Sequence, residues 1–346
     1  MTSSILNAEI NEQPEVISEL LNSENENVAK IAQSLAGKFD YVLIAARGTS
    51  DNAARYAQYV FGAYNQLQVA LATPSLFSIY STPPNLAHAL VVGISQSGQS
   101  PDIVSVLDEA KKQGRPTLAI TNKEESPLAQ TADFIIPLHA HAERAVAATK
   151  SYTTSLTALA MLSCHLAGDN ERLRELLKIP VYIQKTLDML QPAINRVERY
   201  RYIHECNVIG RGFNYSTAFE VALKIKELTR IVAEPYSSAD FRHGPIATVT
   251  PGFPVVLIIP SGAVTPDMTD LVQRLEQRQA EMLIVSEDQA LLAKSRLPLP
   301  IPAGLPEWLT PMVTVLPGQL FGMRLAIERG LNADQPEGLT KVTETR

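Results

Sequence analysis

The residues best suited to chemistry in this sequence are three charged side chains between positions 220 and 227. Glu220, Lys224 and Glu227 stand at i, i+4 and i+7, which places them on one face of a helix. Because most neighbouring positions are apolar, this stripe either lines a cleft or forms a solvent-exposed row of salt bridges. A buried carboxylate beside an ammonium has an adjustable pKa, as a proton-transferring base requires.

The motif ISQSGQSPD indicates a second site, because it runs from a predicted strand through a polar turn into a predicted helix. Ser100 suits the N-cap of that helix, and the proline after it suits the first helical position. The free N–H groups of the helix start, together with Ser95, Gln96 and Ser97, would make an uncharged cradle for phosphate. The same spacing also fits an ordinary capped loop between a strand and a helix.

A third polar turn, RGTSDN, follows the first predicted strand. Parallel strands bring such turns to one edge of a sheet, where ligands of open α/β sheets bind. Gly48, Thr49 and Ser50 are therefore candidates for contact with a hydroxylated ligand. Asp51 and Asn52 are interpreted as helix caps.

One histidine lies where an acid or base is often placed. His243 is in a predicted loop, residues 234–245, and its role is either structural or catalytic. His139 and His141 have no third ligand nearby in the sequence, so no metal site is predicted, and no cofactor is expected.

Composition excludes several classes of protein. A formal net charge of -6 gives no general cationic surface for nucleic acid or anionic lipid. Cys164 and Cys206 have no metal or redox spacing and are expected to be buried free thiols. No signal peptide or membrane-spanning run is recognised, so a cytoplasmic protein is expected. The proline-rich stretch 297–320 is expected to be an extended connection.

Short apolar runs alternate with helical patterns, which predicts an α/β fold with mainly parallel sheets flanked by helices, of flavodoxin-like or Rossmann-like type. Residues 42–61 align without gaps on residues 206–225, so the pattern occurs twice. The predicted strands are 41–45, 89–94, 117–120, 134–137, 207–210, 255–259 and 282–285.

Seven sequence motifs, spread over nearly the whole chain, match those of a known protein family in the same order. They are EINEQP at 9–14, GTS at 48–50, SQSG at 95–98, VAATKSYTT at 146–154, EVALKIKE at 220–227, FRHGP at 241–245 and DQPEGLTKVT at 334–343. With them the chain resembles the sugar isomerase (SIS) domain proteins, in particular the isomerase half of glutamine–fructose-6-phosphate aminotransferase. The resemblance implies an N-terminal helical segment (1–27), a phosphate-binding SIS domain (28–168), a helical linker (169–201), a catalytic SIS domain (202–330) and an ordered tail over the active site (331–346).

The resemblance also implies roles for single residues. The substrate, a hexose or aminohexose 6-phosphate, would be bound by Gly48, Thr49, Ser50, Ser95, Gln96, Ser97, Ser100, Val146, Ala147 and Glu220. Glu227 would move a proton between C1 and C2, with Lys224 assisting. His243, reaching into the site of a second subunit, would serve ring opening, which implies a homodimer. Lys341 would handle the sugar carbonyl, in the family as a Schiff-base-forming or carbonyl-contacting group.

Three departures from the family's pattern narrow the expected reaction. The synthase carries a glutaminase domain that these residues do not include, so no glutaminase activity is expected, and Ala148 and Arg47 replace the usual serine and cysteine. The expected reaction is conversion of glucosamine 6-phosphate to fructose 6-phosphate and ammonia. The alternatives are an ammonia-dependent glucosamine-6-phosphate synthase, a fructosamine-6-phosphate deglycase, and a sugar-phosphate sensor without turnover.

Overall fold

The computed structural model describes residues 4–341. It contains two five-stranded parallel sheets, with strand orders β2-β1-β3-β4-β5 and β7-β6-β8-β9-β10, so the second sheet repeats the order of the first. The predicted α/β fold of two SIS-type sheets is confirmed. The strands are β1 Tyr41–Ala45, β2 Gln68–Leu71, β3 Ala89–Ser95, β4 Thr117–Thr121, β5 Phe134–Pro137, β6 Glu205–Gly210, β7 Val232–Ser237, β8 Pro254–Ile258, β9 Glu281–Ser286 and β10 Leu297–Pro300.

Helices precede, separate and follow the strands along the chain. They are α1 Ile5–Asn11, α2 Gln13–Leu35, α3 Gly48–Asn65, α4 Pro74–Ser78, α5 Pro101–Lys112, α6 Pro127–Thr131, α7 Lys150–Ala167, α8 Asn170–Leu176, α9 Ile179–Ile194, α10 Tyr215–Thr229, α11 Ser238–Arg242, α12 Thr265–Gln277, α13 Gln289–Leu292 and α14 Pro311–Glu328. Short 3-10 helices lie at Val197–Tyr200, Gly212–Asn214, Pro245–Thr248 and Glu307–Leu309.

The chain forms two compact units. The first unit holds β1–β5 and consists of Glu15–Glu143 and Ala148–Lys178, with Thr340 and Lys341. The second unit holds β6–β10 and consists of Ile179–Leu339, Arg144–Ala147 and the described residues before Glu15. Each unit therefore includes a short piece of chain from the opposite end of the sequence.

In the first unit, helix α5 is fixed against the sheet by its apolar face. Ile103, Val106 and Leu107 are buried in one cluster with side chains of β1 and β3. Strands β3 and β4 are buried along their whole length, as parallel strands covered on both faces are. This packing holds the start of α5 at the carboxyl edge of the sheet.

In the second unit, helix α14 approaches helix α10 closely. A Cβ atom at Gly318 would lie 2.3 Å from Cγ2 of Val221, and one at Gly322 would lie 3.2 Å from Cδ1 of Leu228. Glycine at these two positions therefore lets the two helices meet. The face of α10 that carries Val221 and Leu228 is fixed by this contact.

Three strands of the sheets have no counterpart among the predicted ones. β2, β7 and β10 lie at sheet edges, where a strand has one pairing partner and a weak apolar pattern. β7 and α11 replace most of the predicted loop 234–245. All seven predicted strands are present, and each begins and ends within two residues of its predicted bounds.

The prediction of an extended connection over 297–320 is wrong beyond β10. Helix α14 begins at Pro311 and continues through Pro317, and this part of it is buried. Pro311 suits a first helical turn because its missing N–H has no partner there anyway. Pro317 interrupts the helical hydrogen bonds, and burial of the apolar side chains around it stabilises the helix nonetheless.

Both cysteines are free and buried, as predicted. Burial raises the pKa of Cys164 and of Cys206 to about 12, which makes both thiols unreactive at neutral pH. Among residues 4–341, no helix has both the length and the apolar character to cross a membrane.

Candidate active site

The charged stripe of α10 is buried in the second unit. Lys224 and Glu220 have side chains that are 1% and 0% exposed, and Glu227 is 25% exposed. The Lys224 ammonium donates to Oε2 of Glu227 at 2.5 Å and lies 3.4 Å from Oε1 of Glu220. Of the two interpretations of this spacing, a solvent-exposed row of salt bridges is therefore wrong.

This arrangement has a definite chemical consequence. One ammonium faces two carboxylates, and only Glu227 reaches solvent through a quarter of its side-chain surface. A carboxylate that is partly open and held by a buried cation can accept a proton from a bound molecule and return it. Glu220 keeps the cation in place from the closed side.

His243 lies on the surface of the second unit, directly after α11. It is exposed, and its backbone N–H donates to the carbonyl of Asp240 at 3.0 Å. Arg242 fixes the segment through Asp267, whose Oδ1 it contacts at 3.0 Å. Burial raises the pKa of Asp267, but hydrogen bonds from Ser238 and Arg242 outweigh this effect and lower it. The segment is therefore held in place, and the imidazole of His243 is exposed on it.

Two further predicted binding residues also belong to the second unit. The backbone N–H of Val146 donates to the carbonyl of Asp334 at 3.0 Å, and Ala147 is 1% exposed. Glu9, from the EINEQP motif, accepts from the backbone of Arg144 at 2.5 Å. These contacts fix the position of the backbone at the start of the VAATKSYTT run.

The loop between β3 and α5 is the polar turn predicted to bind phosphate. Within it the N–H of Gly98 donates to Oγ of Ser95 at 3.1 Å, and the N–H of Gln99 donates to Oγ of Ser97 at 3.3 Å. Gly98 has φ +62° and a Cβ there would lie 2.1 Å from Oγ of Ser126, so only glycine fits. Ser100 occupies the N-cap position of α5, yet within the described chain its side chain makes no capping hydrogen bond.

Gln96 and Ser97 are half-buried in this loop, and Ser95 is buried. The hydroxyl of Ser100 is left available by the absence of capping, and the helix start favours an anion through its dipole. The structure thus places all four predicted residues in one short loop of the first unit.

The predicted turn of Gly48, Thr49 and Ser50 lies in the same unit and forms the first turn of α3. Helix α3 begins at Gly48 with Arg47 at its N-cap, so the interpretation of Asp51 and Asn52 as caps is wrong. Asp51 instead pairs with Arg55 at 3.1 Å.

An ion pair that the sequence did not indicate joins these two turns. Nε of Arg47 lies 2.9 Å from Oδ2 of Asp102 in the first turn of α5. The Asp102 side chain is 0% exposed, whereas Arg47 is half exposed. The pair ties the turn after β1 to the start of α5. The two residues are 55 positions apart, so no local pattern reveals their contact.

Lys341 is also held by a residue that was not predicted. Its Nζ lies 2.8 Å from Oε2 of Glu143, whose side chain is 0% exposed. Glu143 further accepts from the N–H groups of Thr149 and Ser151 and from the hydroxyl of Ser151. Burial raises the pKa of Glu143, but Lys341 and these hydrogen bonds outweigh it, and the pKa is lowered. The remaining predicted tail residues, 342–346, lie outside the described part of the chain.

The two histidines considered for a metal site bind carboxylates instead. Nε2 of His139 lies 2.8 Å from Glu24, and Nε2 of His141 lies 2.7 Å from Glu19. Across residues 4–341 no group of His, Cys, Asp and Glu side chains is arranged to hold a metal ion. These contacts attach α2 to the segment after β5.

Comparisons with known proteins agree with this architecture. The SIS domain matches the chain twice, over residues 38–164 and 204–329. The isomerizing glutamine–fructose-6-phosphate aminotransferase of Aquifex aeolicus is 35% identical over 336 residues, which are 96% of this chain and 56% of that protein. The chain thus spans about half the length of the curated relatives it matches.

Two solved structures share the fold over nearly their whole length. The C-terminal domain of glucosamine-fructose-6-phosphate aminotransferase from Francisella tularensis is 27% identical, with a TM-score of 0.86 over 96% of this chain and 98% of that one. A proposed phosphosugar isomerase from Silicibacter pomeroyi is 30% identical, with a TM-score of 0.85 over 96% of this chain and 100% of that one. This chain belongs to the SIS domain family and contains two copies of the domain.

Proposed function

We propose that the protein is a sugar-phosphate isomerase in which Glu227 transfers a proton between C1 and C2 of an open-chain hexose 6-phosphate. The main support for this proposal is the buried Lys224 ammonium, which lies 2.5 Å from Oε2 of Glu227 and is also close to Glu220. This cation holds the Glu227 carboxylate in a fixed orientation, as a positioned base requires. It also compensates negative charge that develops on the substrate oxygen during proton transfer.

The loop of residues 95–100 is proposed to bind the phosphate of the substrate. Its support is the start of α5, where the Ser100 side chain makes no capping hydrogen bond, and the gathering of the Ser95, Ser97 and Ser100 hydroxyls in one glycine-containing loop. Gln96 would contact the phosphate as well, and Gly48, Thr49 and Ser50 at the start of α3 would contact the sugar chain. Binding a phosphate here needs no lysine, which suits a chain whose net charge is -6.

We also propose roles in the site for His243, Lys341 and the backbone of Val146 and Ala147. An exposed imidazole suits proton transfer to the ring oxygen during ring opening. Lys341, paired with Glu143, would contact the carbonyl or imine of the open chain. His243 is proposed to act in the site of a second subunit, so that the protein works as a homodimer.

The proposed substrate is glucosamine 6-phosphate, and the products are fructose 6-phosphate and ammonia. Removal of the C2 proton by Glu227 gives an enolamine, and return of the proton to C1 gives an imine at C2. Water then adds to the imine carbon and ammonia leaves, so deamination needs no reactant beyond water. The aminotransferase relatives are named for fructose 6-phosphate, the same ketose.

The test is ammonia release and fructose 6-phosphate formation from glucosamine 6-phosphate by the full chain. Glu227→Gln is expected to lower kcat by about 10²–10⁴-fold, the usual contribution of a positioned base. KM should change little, because the phosphate contacts stay. Deuterium exchange from solvent into C1 of the product would report the proton transfer directly.

Three other results would replace this proposal. Glucosamine 6-phosphate formation from ammonia with no reverse reaction would favour a synthase, and turnover of fructosamine 6-phosphates alone would favour a deglycase. Thermal stabilisation by hexose 6-phosphates, without turnover in any assay, would favour a sensor.

A further inference from the structure

The two units are built alike at the carboxyl edge of their sheets. In the first unit Arg47, after β1, pairs with Asp102 in the first turn of α5 at 2.9 Å. In the second unit Arg211, after β6, pairs with Asp267 in the first turn of α12 at 3.1 Å. The sequence SGQSPD at 97–102 also aligns without gaps on GAVTPD at 262–267. The loop 261–265 of the second unit is therefore the counterpart of the proposed phosphate loop.

Both loops have a glycine N–H that donates to a hydroxyl of the same loop, since Gly262 donates to Oγ1 of Thr265 at 2.8 Å, but their other backbone N–H groups bind different partners. In the first unit the N–H groups of Gly98 and Gln99 donate to hydroxyls of the same loop. In the second unit the N–H of Ala263 donates to Oε2 of Glu307 at 2.8 Å, and that of Ser261 donates to Oε1 of Glu287 at 2.9 Å. Two carboxylates from distant positions thus occupy the second loop.

Glu307 is packed tightly against this loop. A Cβ atom at Gly262 would lie 2.1 Å from Cδ of Glu307 and 2.4 Å from its Oε2. The carboxylate therefore lies directly on the backbone of Gly262, beside the start of α12, where the helix dipole favours a negative charge. Val264, at the N-cap, has no side-chain oxygen to serve the helix start, and of the two carboxylates bound to this loop Glu307 lies directly against Gly262.

We propose that Glu307 closes a second phosphate-type site by supplying its own carboxylate as the anion, and that removing this side chain opens the loop to a phosphate ion. The inference rests on the phosphate role proposed for the loop of the first unit. Glu307→Ala removes a methylene and a carboxylate, a volume similar to that of a phosphate ion. The intact chain then binds one phosphate group, in the first unit. It binds none in the second unit, because the Glu307 carboxylate occupies the corresponding loop.

The experiment is equilibrium dialysis of the full chain against labelled inorganic phosphate in a buffer without other oxyanions. The intact chain is expected to bind one phosphate and Glu307→Ala two. Glu307→Gln is the matched control, because its amide oxygen still accepts from Ala263 and fills the same space, and it should bind one. Adding Ser97→Asp to Glu307→Ala places a negative charge in the first loop and should leave only the second site.

The outcomes separate this inference from the proposed function. If the intact chain binds none and Glu307→Ala binds one, the second site stands and the phosphate role of the first loop is wrong. If a folded Glu307→Ala binds no more than the intact chain, the inference is overturned. Glu307→Ser provides a second variant. Failure of both to fold even in phosphate buffer would also overturn it, since a phosphate that replaces the carboxylate must restore the contact.

Discussion

At the scale of single residues, the site of the second unit depends on the charge balance around Lys224. Removing a charged group from water costs several kcal/mol unless a partner compensates it. Glu220 and Lys224 are both fully buried, so each is tolerable because the other is present. Glu227 adds a second carboxylate at the side that reaches solvent. The stripe therefore combines a structural ion pair with an accessible base.

Lys224→Met is expected to lower the free energy of unfolding by about 3–5 kcal/mol, because it leaves the buried Glu220 carboxylate without the ammonium. Adding Glu220→Gln should recover part of that loss by removing the uncompensated charge. Urea unfolding at neutral pH measures both. Equal stability of the single and double variants would contradict the argument.

The pair of Glu143 and Lys341 is expected to stabilise the first unit in a pH-dependent way. The pKa of Glu143 is lowered in the folded state from 4.5, so its stabilising effect is complete above that pH and disappears as the pH falls through the lower folded-state pKa. Glu143→Gln should cost on the order of 3 kcal/mol at pH 7 and progressively less below pH 4.5.

Urea unfolding of the intact chain and of this variant, repeated at decreasing pH, tests that expectation. Glu125→Gln is the matched control, because Glu125 is exposed and should show no such change. A difference between the intact chain and Glu143→Gln that stays constant with pH would rule out an ionised Glu143 as the source.

The sequence was sufficient to find residues that act through local geometry. Helical spacing identified Glu220, Lys224 and Glu227, and the polar turn identified Ser97. Glu143 carried no such signal, because its partner Lys341 is 198 positions away. Whether the stripe is buried also depends on α14, which sequence periodicity did not reveal.

At the scale of elements, the contact between α10 and α14 positions the charged stripe of Glu220, Lys224 and Glu227. Gly318 and Gly322 give α14 a smooth face toward Val221, Leu228 and the backbone of Lys224. A larger residue on that face displaces α10 and with it Glu227. The apolar composition of α14, with two prolines, is typical of a buried helix rather than a connection.

Gly318→Ala is expected to lower the free energy of unfolding by about 1–3 kcal/mol, because its Cβ would lie 2.3 Å from Cγ2 of Val221. Gly62→Ala is the matched control inside α3, where the nearest heavy atom is 3.9 Å away. That change should instead add up to about 1 kcal/mol through helix propensity. Val221→Ala should relieve the clash in Gly318→Ala, and thermal melting compares all four chains.

The elements with strong apolar patterns were found from the sequence, and three of the four edge strands were not. β3 and β8 are buried throughout, so each is a continuous apolar run. β2 alternates between exposed and half-buried residues over four positions, a pattern too short to distinguish from a loop. Helix α14 was missed because proline normally marks the end of a helix.

At the scale of the whole molecule, one scaffold occurs twice with different side chains. The alignment of 42–61 on 206–225 places Tyr56 and Val60 where the second unit has Glu220 and Lys224, and two residues further on Ala63 corresponds to Glu227. Tyr56 and Val60 are fully buried, as an ordinary core requires. The chemistry proposed for the second unit would thus come from three positions of a helix whose counterpart in the first unit carries core side chains at two of them.

The proposed homodimer predicts that catalytic residues of different chains complement each other. Glu227→Gln and His243→Ala are each expected to be nearly inactive alone. If His243 acts in the partner's site, a hybrid dimer contains one site with an intact Glu227 and an intact His243, and one site with neither. Random mixing makes half of the dimers hybrid, so activity should return to about a quarter of the unmodified level.

The measurement is ammonia release after the two variants are unfolded together, refolded and compared with each variant refolded alone. Activity that returns in the mixture requires His243 to cross between subunits, because no chain in the mixture carries both residues. A mixture no more active than its components would place His243 in the site of its own chain. A double variant mixed with the unmodified chain serves as the control, since its hybrid dimers would contain no intact site and activity should fall with the share of the double variant.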